Sequence, residues 1–238
     1  ETDEGPAASE QIQQLKDDSR LHLLTSEKGP LDECVSKQVL GACGIPVVEE
    51  QEVTSLEKAR QTAAGFGFPL VAKGMVPGIS HKTESNLVHL GITSEHALET
   101  AVTALLQAMP DRGSVLIQKQ IQGKIELVAG FVRDPRLGPC VMCGLGGVFA
   151  EALNDTVFGV APLTLPDAVQ MINRLKCRSM LEGFRGWDPV DKRVLGRILV
   201  ALGHLGCAYP GIQEIDINPL IIHNGLPIAV DALVVLSD

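Results

Sequence analysis

The residues best equipped for chemistry lie near the C-terminus, in the run Glu214-Ile215-Asp216-Ile217-Asn218-Pro219-Leu220 and again in Val230-Asp231. Strand alternation puts Glu214, Asp216 and Asn218 on one face and the apolar residues on the other. Asp231 lies on the returning arm of a hairpin and can meet Asn218 across it. Acids gathered in this way repel one another unless a cation joins them. Hard oxygen ligands suit Mg²⁺, especially a Mg²⁺ that also holds substrate phosphates. The alternative is a solvated polar strand face. Lys73 closes the apolar run Pro69-Leu70-Val71-Ala72. An ammonium there can be aimed at a phosphate, or can snorkel to water. His81 sits in the polar loop from Gly78 to Glu84. Its imidazole can act as nucleophile, general base or phosphate contact, or can simply be solvated. Gly144-Leu145-Gly146-Gly147 follows a strand and leads towards Glu151. Closely spaced glycines let backbone N–H groups approach a phosphate, or mark a bulged strand. The spacing is not GxGxxG, and no Walker Gly-Lys-Ser/Thr occurs.

These groups need elements to hold them. Pro30 and Asp32 suit the first turn of a helix whose apolar stripe is Cys34, Val35, Val39 and Leu40, ending at Gly41 and Gly44. Ile45 to Val48 reads as a short strand. Thr54 or Ser55 caps a helix reaching Gly65, and Pro69 to Lys73 is a buried strand. Asn86 to Ile92 is a strand, Ser94 caps a helix from Glu95 to Met109, and Val115 to Gln118 is a strand. Glu126 to Val132 and Gly138 to Cys143 pair around the turn signal Arg133-Asp134-Pro135. Helices start at Leu165-Pro166-Asp167 and at Pro189-Val190-Asp191. Two closing strands, Gln213 to Ile222 and Pro227 to Val235, are joined through Asn224-Gly225, a hairpin signal. Helices and strands are mixed throughout and the last pair is antiparallel, so the expected class is α/β (α+β). Residues 1–30, polar and aperiodic at their start, read as a linker or flexible segment, with a short polar helix from Glu10.

Composition narrows the function. The chain has 238 residues, with 20 Lys plus Arg against 29 Asp plus Glu, so its formal charge is −9. That balance and an aromatic content of 3% argue against an extended nucleic-acid surface, which needs cations and stacking platforms. No apolar run approaches the ~18 residues of a membrane span. Glu1-Thr2-Asp3-Glu4 has neither the basic region nor the apolar stretch of a signal peptide. The six cysteines are scattered in a chain long enough to need no staples, so reduced thiols and a cytoplasmic location are expected. Cys140-Val141-Met142-Cys143 has CxxC spacing. An offset of three in a strand puts the thiols on opposite faces, which favours two small apolar residues over a metal or redox pair.

Taken together, the chain from Leu31 to Leu236 resembles the ATP-grasp β subunit, or β domain, of ADP-forming acyl-CoA synthetases, relatives of the succinyl-CoA synthetase β subunit. The matching stretches are Gly44-Ile45-Pro46-Val47, the strand ending in Lys73, His81-Lys82, Arg133-Asp134-Pro135 through Gly138-Pro139, Gly144 to Glu151, Ala161-Pro162-Leu163 and Asp216 to Leu220. The resemblance implies two α/β subdomains that clamp ATP between two sheets, expected at 31–118 and 119–238. It implies that Lys73 holds ATP phosphates and that Gln118 lies on the strand leading to the adenine hinge. Glu126, Gly146, Gly147 and Glu151 fall in nucleotide-site motifs, and Asn218 and Asp231 match Mg²⁺ ligands. Asp216 matches an acid near the phosphohistidine of a partner subunit, and His81 a histidine that relays the phosphoryl group. The implied reaction is acyl-CoA + ADP + phosphate ⇌ acid + CoA + ATP. CoA binding and the first acyl step then belong to a CoA-ligase α subunit or fused domain.

Three positions depart from the family pattern. A glycine pair usually follows the His-Lys stretch, and here the chain reads Thr83-Glu84-Ser85-Asn86. Gln-Glu is usual where Gln118-Lys119 stands, and an arginine is usual where Gly159-Val160 stands. These losses keep a second reading open, a degenerate ATP-grasp module that binds a nucleotide or a partner without turnover.

Overall fold

The computed structural model describes residues 8–76, 87–109, 113–147, 153–183 and 186–237. The chain divides into two units, one made of residues 1–47 and 122–238, the other of residues 48–121.

The larger unit is built on a seven-stranded sheet. Its strands are β1 (Gly29–Pro30), β6 (Glu126–Asp134), β7 (Gly138–Leu145), β8 (Thr156–Val160), β9 (Ile212–His223), β10 (Leu226–Ala229) and β11 (Ala232–Leu236). The order is β1-β11-β9-β6-β7-β8, with β10 also on β9, and every one of these pairs is antiparallel. Opposed residues share a face, so the register sorts the sheet. Ile217, Ala129 and Cys143 line one face with Ile215, Phe131 and Val141, all buried in the main core. Asp216, Gly130 and Met142 belong to the other face.

Helices cover the first face. They are α1 (Ala8–Asp17), α2 (Leu23–Ser26), α3 (Glu33–Ala42), α6 (Leu165–Asn173), α7 (Arg178–Leu181) and α8 (Lys192–Ala208). Asp191 caps α8, accepting from Arg193 N at 2.9 Å and Val194 N at 3.0 Å. Leu195, Ile198, Leu199, Leu202 and Leu205 then form the stripe that α8 buries. Close approach to the sheet requires a glycine: a Cβ on Gly206 would stand 2.2 Å from the Phe131 ring.

The smaller unit is a four-stranded antiparallel sheet of β2 (Glu50–Val53), β5 (Ser114–Lys119), β3 (Leu70–Met75) and β4 (Val88–Ile92), in that order. Helices α4 (Leu56–Phe66) and α5 (Glu95–Ala108) start at the side-chain caps Ser55 and Ser94. Val53, Leu70, Ala72, Val115 and Ile117 form its core.

The mixed class holds, but four expectations differ from the structure. From residue 8 onward the segment expected as a linker is ordered. Leu21 and Leu24 enter the main core, β1 pairs with β11, and Tyr209 Oη donates to Leu15 O at 2.8 Å. The boundary expected at residues 118/119 lies at 121/122, and residues 31–47 belong with the C-terminal sheet rather than with the smaller unit. The cause is long-range: Leu31 N bonds Val234 O, and Ala229 N bonds Pro46 O. The strand expected at Ile45 to Val48 is reduced to one parallel bridge, Val47 with Ala229, and the strand proper is β2 at Glu50. The closing strand also breaks into β10 and β11 at Val230-Asp231. Opposite the break stands Pro219, which has no N–H to give to a ladder.

Candidate functional site

On β9 the expected alternation is present. Ile215 and Ile217 are buried, Glu214 and Asn218 are exposed, and Asp216 is half-buried. Asn218 and Asp231 stand across from each other where β10 gives way to β11. Asn218 N donates to Asp231 O at 3.2 Å, and Val230 N donates to Pro219 O at 3.1 Å. Two turn residues with positive φ, Asn224 at 50° and Gly225 at 79°, reverse the chain into this arrangement.

The electrostatics follow from that crowding. Burial, and then the charges of Glu214 and Asp231, push the Asp216 carboxyl up to about 6. Burial first, and like charges second, disfavour the ionised form of this acid. A divalent cation or a donor group would relieve that penalty. Across the sheet, Asp216 faces Gly130 on β6, which brings no side chain to that spot. Among the described residues no three His, Cys, Asp or Glu groups form a metal cage. The donor set instead offers the Asp231 carboxylate and the Asn218 amide, two hard oxygens. That suits a Mg²⁺ that completes its shell with water and phosphate.

A second cluster forms where β6 begins. Gly146 N donates to Glu126 O at 2.8 Å, and a Cβ on Gly147 would lie 2.7 Å from Glu126 Oε2. Gly147 also has φ of +62°, which an L side chain rarely adopts. The glycine pair is therefore held against Glu126, and the sequence motif becomes one local structure. Glu151, expected beside it, lies outside the described residues, as does His81 with its whole loop.

The smaller unit carries the other expected residues. Lys73 pairs with Leu116 and Gln118 with Val71, which places Lys73 and Gln118 on the sheet face opposite the α4–α5 core. Both are buried, Lys73 at 6% exposure and Gln118 at 0%. Lys73 lies inside β3 rather than at its end. A fully buried amide needs a fixed partner, and Gln118 Nε2 donates to Glu50 Oε2 at 2.8 Å. Lys119, which replaces the usual acid, points elsewhere and pairs with Glu49 at 3.2 Å.

Sequence reasoning passed over Glu50, which lies beyond the strand expected at Ile45 to Val48. It also passed over Glu33 and Lys37, an i,i+4 pair on the buried side of α3. The phase of that pair with Val39 and Leu40 was the available signal. The departure at Gly159 takes a different meaning in three dimensions. Residue 159 pairs with Val141 on the helix-covered face, and a Cβ there would meet Met171 Sδ at 3.0 Å. A glycine at 159 therefore removes nothing from the face that bears Asp216. The CxxC cysteines are free thiols, and burial pushes Cys143 up to about 12, so it stays protonated.

Comparison with known proteins gives the chain its relatives. A relative from Pyrococcus furiosus, the β subunit of acetate–CoA ligase [ADP-forming] I, is 37% identical over 217 residues, covering 89% of this chain and 94% of its own. The β subunit of the second such ligase of that organism is 32% identical over 224 residues, covering 90% and 95%. The chain matches only 31% of the length of acetate–CoA ligase [ADP-forming] I of Archaeoglobus fulgidus, at 33% identity and 84% coverage of this chain. Among solved structures, a chain of the dinucleotide-forming acetyl-coenzyme A synthetase 1 of Ca. Korarchaeum cryptofilum, in complex with coenzyme A and Ca-AMPCP, superposes with a TM-score of 0.83 at 34% identity. That match covers 91% of this chain and 97% of the other. Another structure of that enzyme, with Mg-AMPPCP and a phosphohistidine segment pointing towards the nucleotide site, gives a TM-score of 0.80 at 34% identity, covering 93% and 99%. With the ATP-grasp domain model matching residues 22–236, and with these relatives, the chain belongs to the ATP-grasp family.

Proposed function

We propose that this chain is the nucleotide-handling β part of an ADP-forming acyl-CoA ligase, moving a phosphoryl group between ADP or ATP and a histidine. The observation that carries the reading is the acid face of β9, with Asn218 and Asp231 tied side by side and Asp216 pushed up to about 6 beside them. Relatives that are separate β subunits, and one three times longer than this chain's match to it, support a partner that is either an α subunit or a fused CoA-ligase domain.

Roles follow from the chemistry of each group. Asn218 and Asp231 hold Mg²⁺ through one amide and one carboxylate oxygen. A Mg²⁺ held by these two residues would supply charge neutralisation for nucleotide phosphates. Lys73 adds a fixed ammonium for the phosphates, and buried Gln118, oriented by Glu50, serves the nucleotide. Glu126 with Gly146 and Gly147, together with Glu151, completes the nucleotide set. Asp216 sits where a phosphohistidine imidazole would gain a hydrogen-bonding acid, and its raised pKa lets it hold or give a proton near neutrality. His81 relays the phosphoryl group. Acyl-CoA is bound through the partner, with no nucleic acid and no membrane involved. None of the described helices is long and apolar enough to cross a membrane. Free thiols suit a cytoplasmic location.

The test combines the chain with a CoA-ligase partner, acyl-CoA, phosphate and Mg-ADP, and follows ATP formation. The wild type is expected to make ATP and His81→Ala to make little. Equal rates would return His81 to a solvated loop residue. Failure of the wild type beside an active relative would support the degenerate module instead.

A further inference from the structure

Helix α3 carries two charged side chains into the core of the larger unit. Lys37 is 1% exposed and Glu33 is 6% exposed, with Nζ and Oε1 2.6 Å apart. An i,i+4 Glu–Lys pair needs no burial to form, and taking both charges out of water costs several kcal/mol per ion before their attraction is counted. Apolar residues of the same size would fill the space at no such cost. The burial therefore calls for a purpose, and the ammonium's second bond supplies one. Lys37 Nζ also donates to Val230 O at 3.1 Å, across 193 residues of chain.

Val230 immediately precedes Asp231, and the whole segment is pinned from both sides. On the α3 side, Lys37 holds Val230 O, Pro46 O accepts from Ala229 N at 2.9 Å, and buried Ser36 Oγ accepts from Val234 N at 3.0 Å. On the β9 side, Val230 N bonds Pro219 O and Asn218 N bonds Asp231 O. Asp231 thus lies at a break between two strands, where ordinary ladder bonds lapse, and these ties replace them. A carboxylate that shares a metal with an amide opposite must be held to within about 0.5 Å, which a bare loop does not achieve.

We propose that the buried Glu33–Lys37 pair is a positioning device that fixes Asp231 opposite Asn218 for Mg²⁺. Lys37 anchors the Val230 carbonyl, and Glu33 fixes Lys37 and offsets its buried charge. This rests on the reading of Asn218 and Asp231 as the Mg²⁺ pair, so the experiment has one arm that needs no nucleotide. In the double variant Glu33→Leu/Lys37→Met, apolar groups of similar size replace the pair, a change that buried ion pairs commonly tolerate without loss of stability.

Amide hydrogen exchange of the nucleotide-free chain is expected to quicken about tenfold at Asn218 and Val230, while Phe131 and Val141 on β6 and β7 stay unchanged. Calorimetry should show the Mg²⁺ concentration for half-maximal ADP binding rising about tenfold, with Mg²⁺-free ADP binding unaltered. Glu33→Gln/Lys37→Met, which also leaves no unpaired buried charge, should shift both readouts the same way, and it serves if the first double variant does not fold. Unchanged exchange at Asn218 and Val230 in a folded variant would overturn the positioning role. A wild type that binds ADP without regard to Mg²⁺ would overturn the metal role, with the exchange arm still judging the anchor.

Discussion

The two units present polar groups in opposite ways. In the smaller unit Lys73 and Gln118 are buried, and Gln118 is held by a direct bond to Glu50. In the larger unit Asp216 and Asp231 are half-buried and Asn218 is exposed, with the acids repelling one another. One face is prepared as a rigid donor surface. The other is left with an electrostatic strain that a ligand can relieve. The contrast matches the proposed division of labour between positioning a phosphate and recruiting a cation. A donor face works best when fixed in advance, whereas a Mg²⁺ site that also needs phosphates gains from being unsatisfied until they arrive.

Lys73→Met breaks this contrast from the side of the smaller unit, with the largest effect expected there. It removes the charge while keeping an apolar stem inside β3. Loss of a charged hydrogen bond of about 1.5–3 kcal/mol should weaken ADP binding roughly tenfold to a hundredfold in calorimetry. Unaltered affinity would mean that the donor face serves packing alone.

Gly147→Ala comes next. Gly147 combines a positive φ with the close Glu126 carboxylate, whereas Gly44 has φ of +77° and nothing within 4 Å of a Cβ. Both alanine variants should lose about 1 kcal/mol for the backbone. The excess loss at 147, read by denaturant unfolding, measures how firmly Glu126 is held. Equal losses would show that Glu126 swings freely.

The smallest effect is the pH dependence of Asp216→Asn. A carboxyl raised to about 6 is disfavoured when ionised in the folded chain. The penalty is complete above pH 6 and fades as pH falls towards the unfolded value of about 4. The asparagine variant should therefore melt higher than wild type at pH 7.5, with the gain disappearing by about pH 4. Mg-ADP should narrow the gain at pH 7.5 by stabilising the ionised acid. A gain independent of pH would locate the strain elsewhere.

How much of this was legible in the sequence depends on range. The alternation of Glu214, Asp216 and Asn218 against isoleucines is local, and so are the caps Ser55 and Ser94, both of which cap their helices in the structure, while Asp32, read as a first-turn residue, is the cap of α3. Strand β8 escaped because Asn154, Asp155 and Gly159 dilute its short apolar pattern, and its hold comes from pairing with β7. Residues 8–30 read as polar linker because few of their side chains are apolar, yet Leu21 and Leu24 suffice to seat them in the core. The unit boundary depends on Leu31, Ser36, Lys37 and Pro46 meeting residues 229–234, contacts that no local pattern announces. For the site, residue types and spacing indicated the acid pair on β9. They did not indicate the buried charges behind it, because a Glu–Lys pair four residues apart ordinarily marks a solvated helix face.

The central claim is that Asn218 and Asp231 on the larger unit form a Mg²⁺-dependent nucleotide site. Calorimetry of ADP binding to the wild type and to Asp231→Ala, each with saturating Mg²⁺ and with chelator, tests it directly. Removing one charged partner of the site is worth about 2–5 kcal/mol, so affinity in Mg²⁺ should fall at least thirtyfold in the variant. In chelator the two chains should bind ADP alike. Equal affinity of the two chains for Mg-ADP would contradict the account.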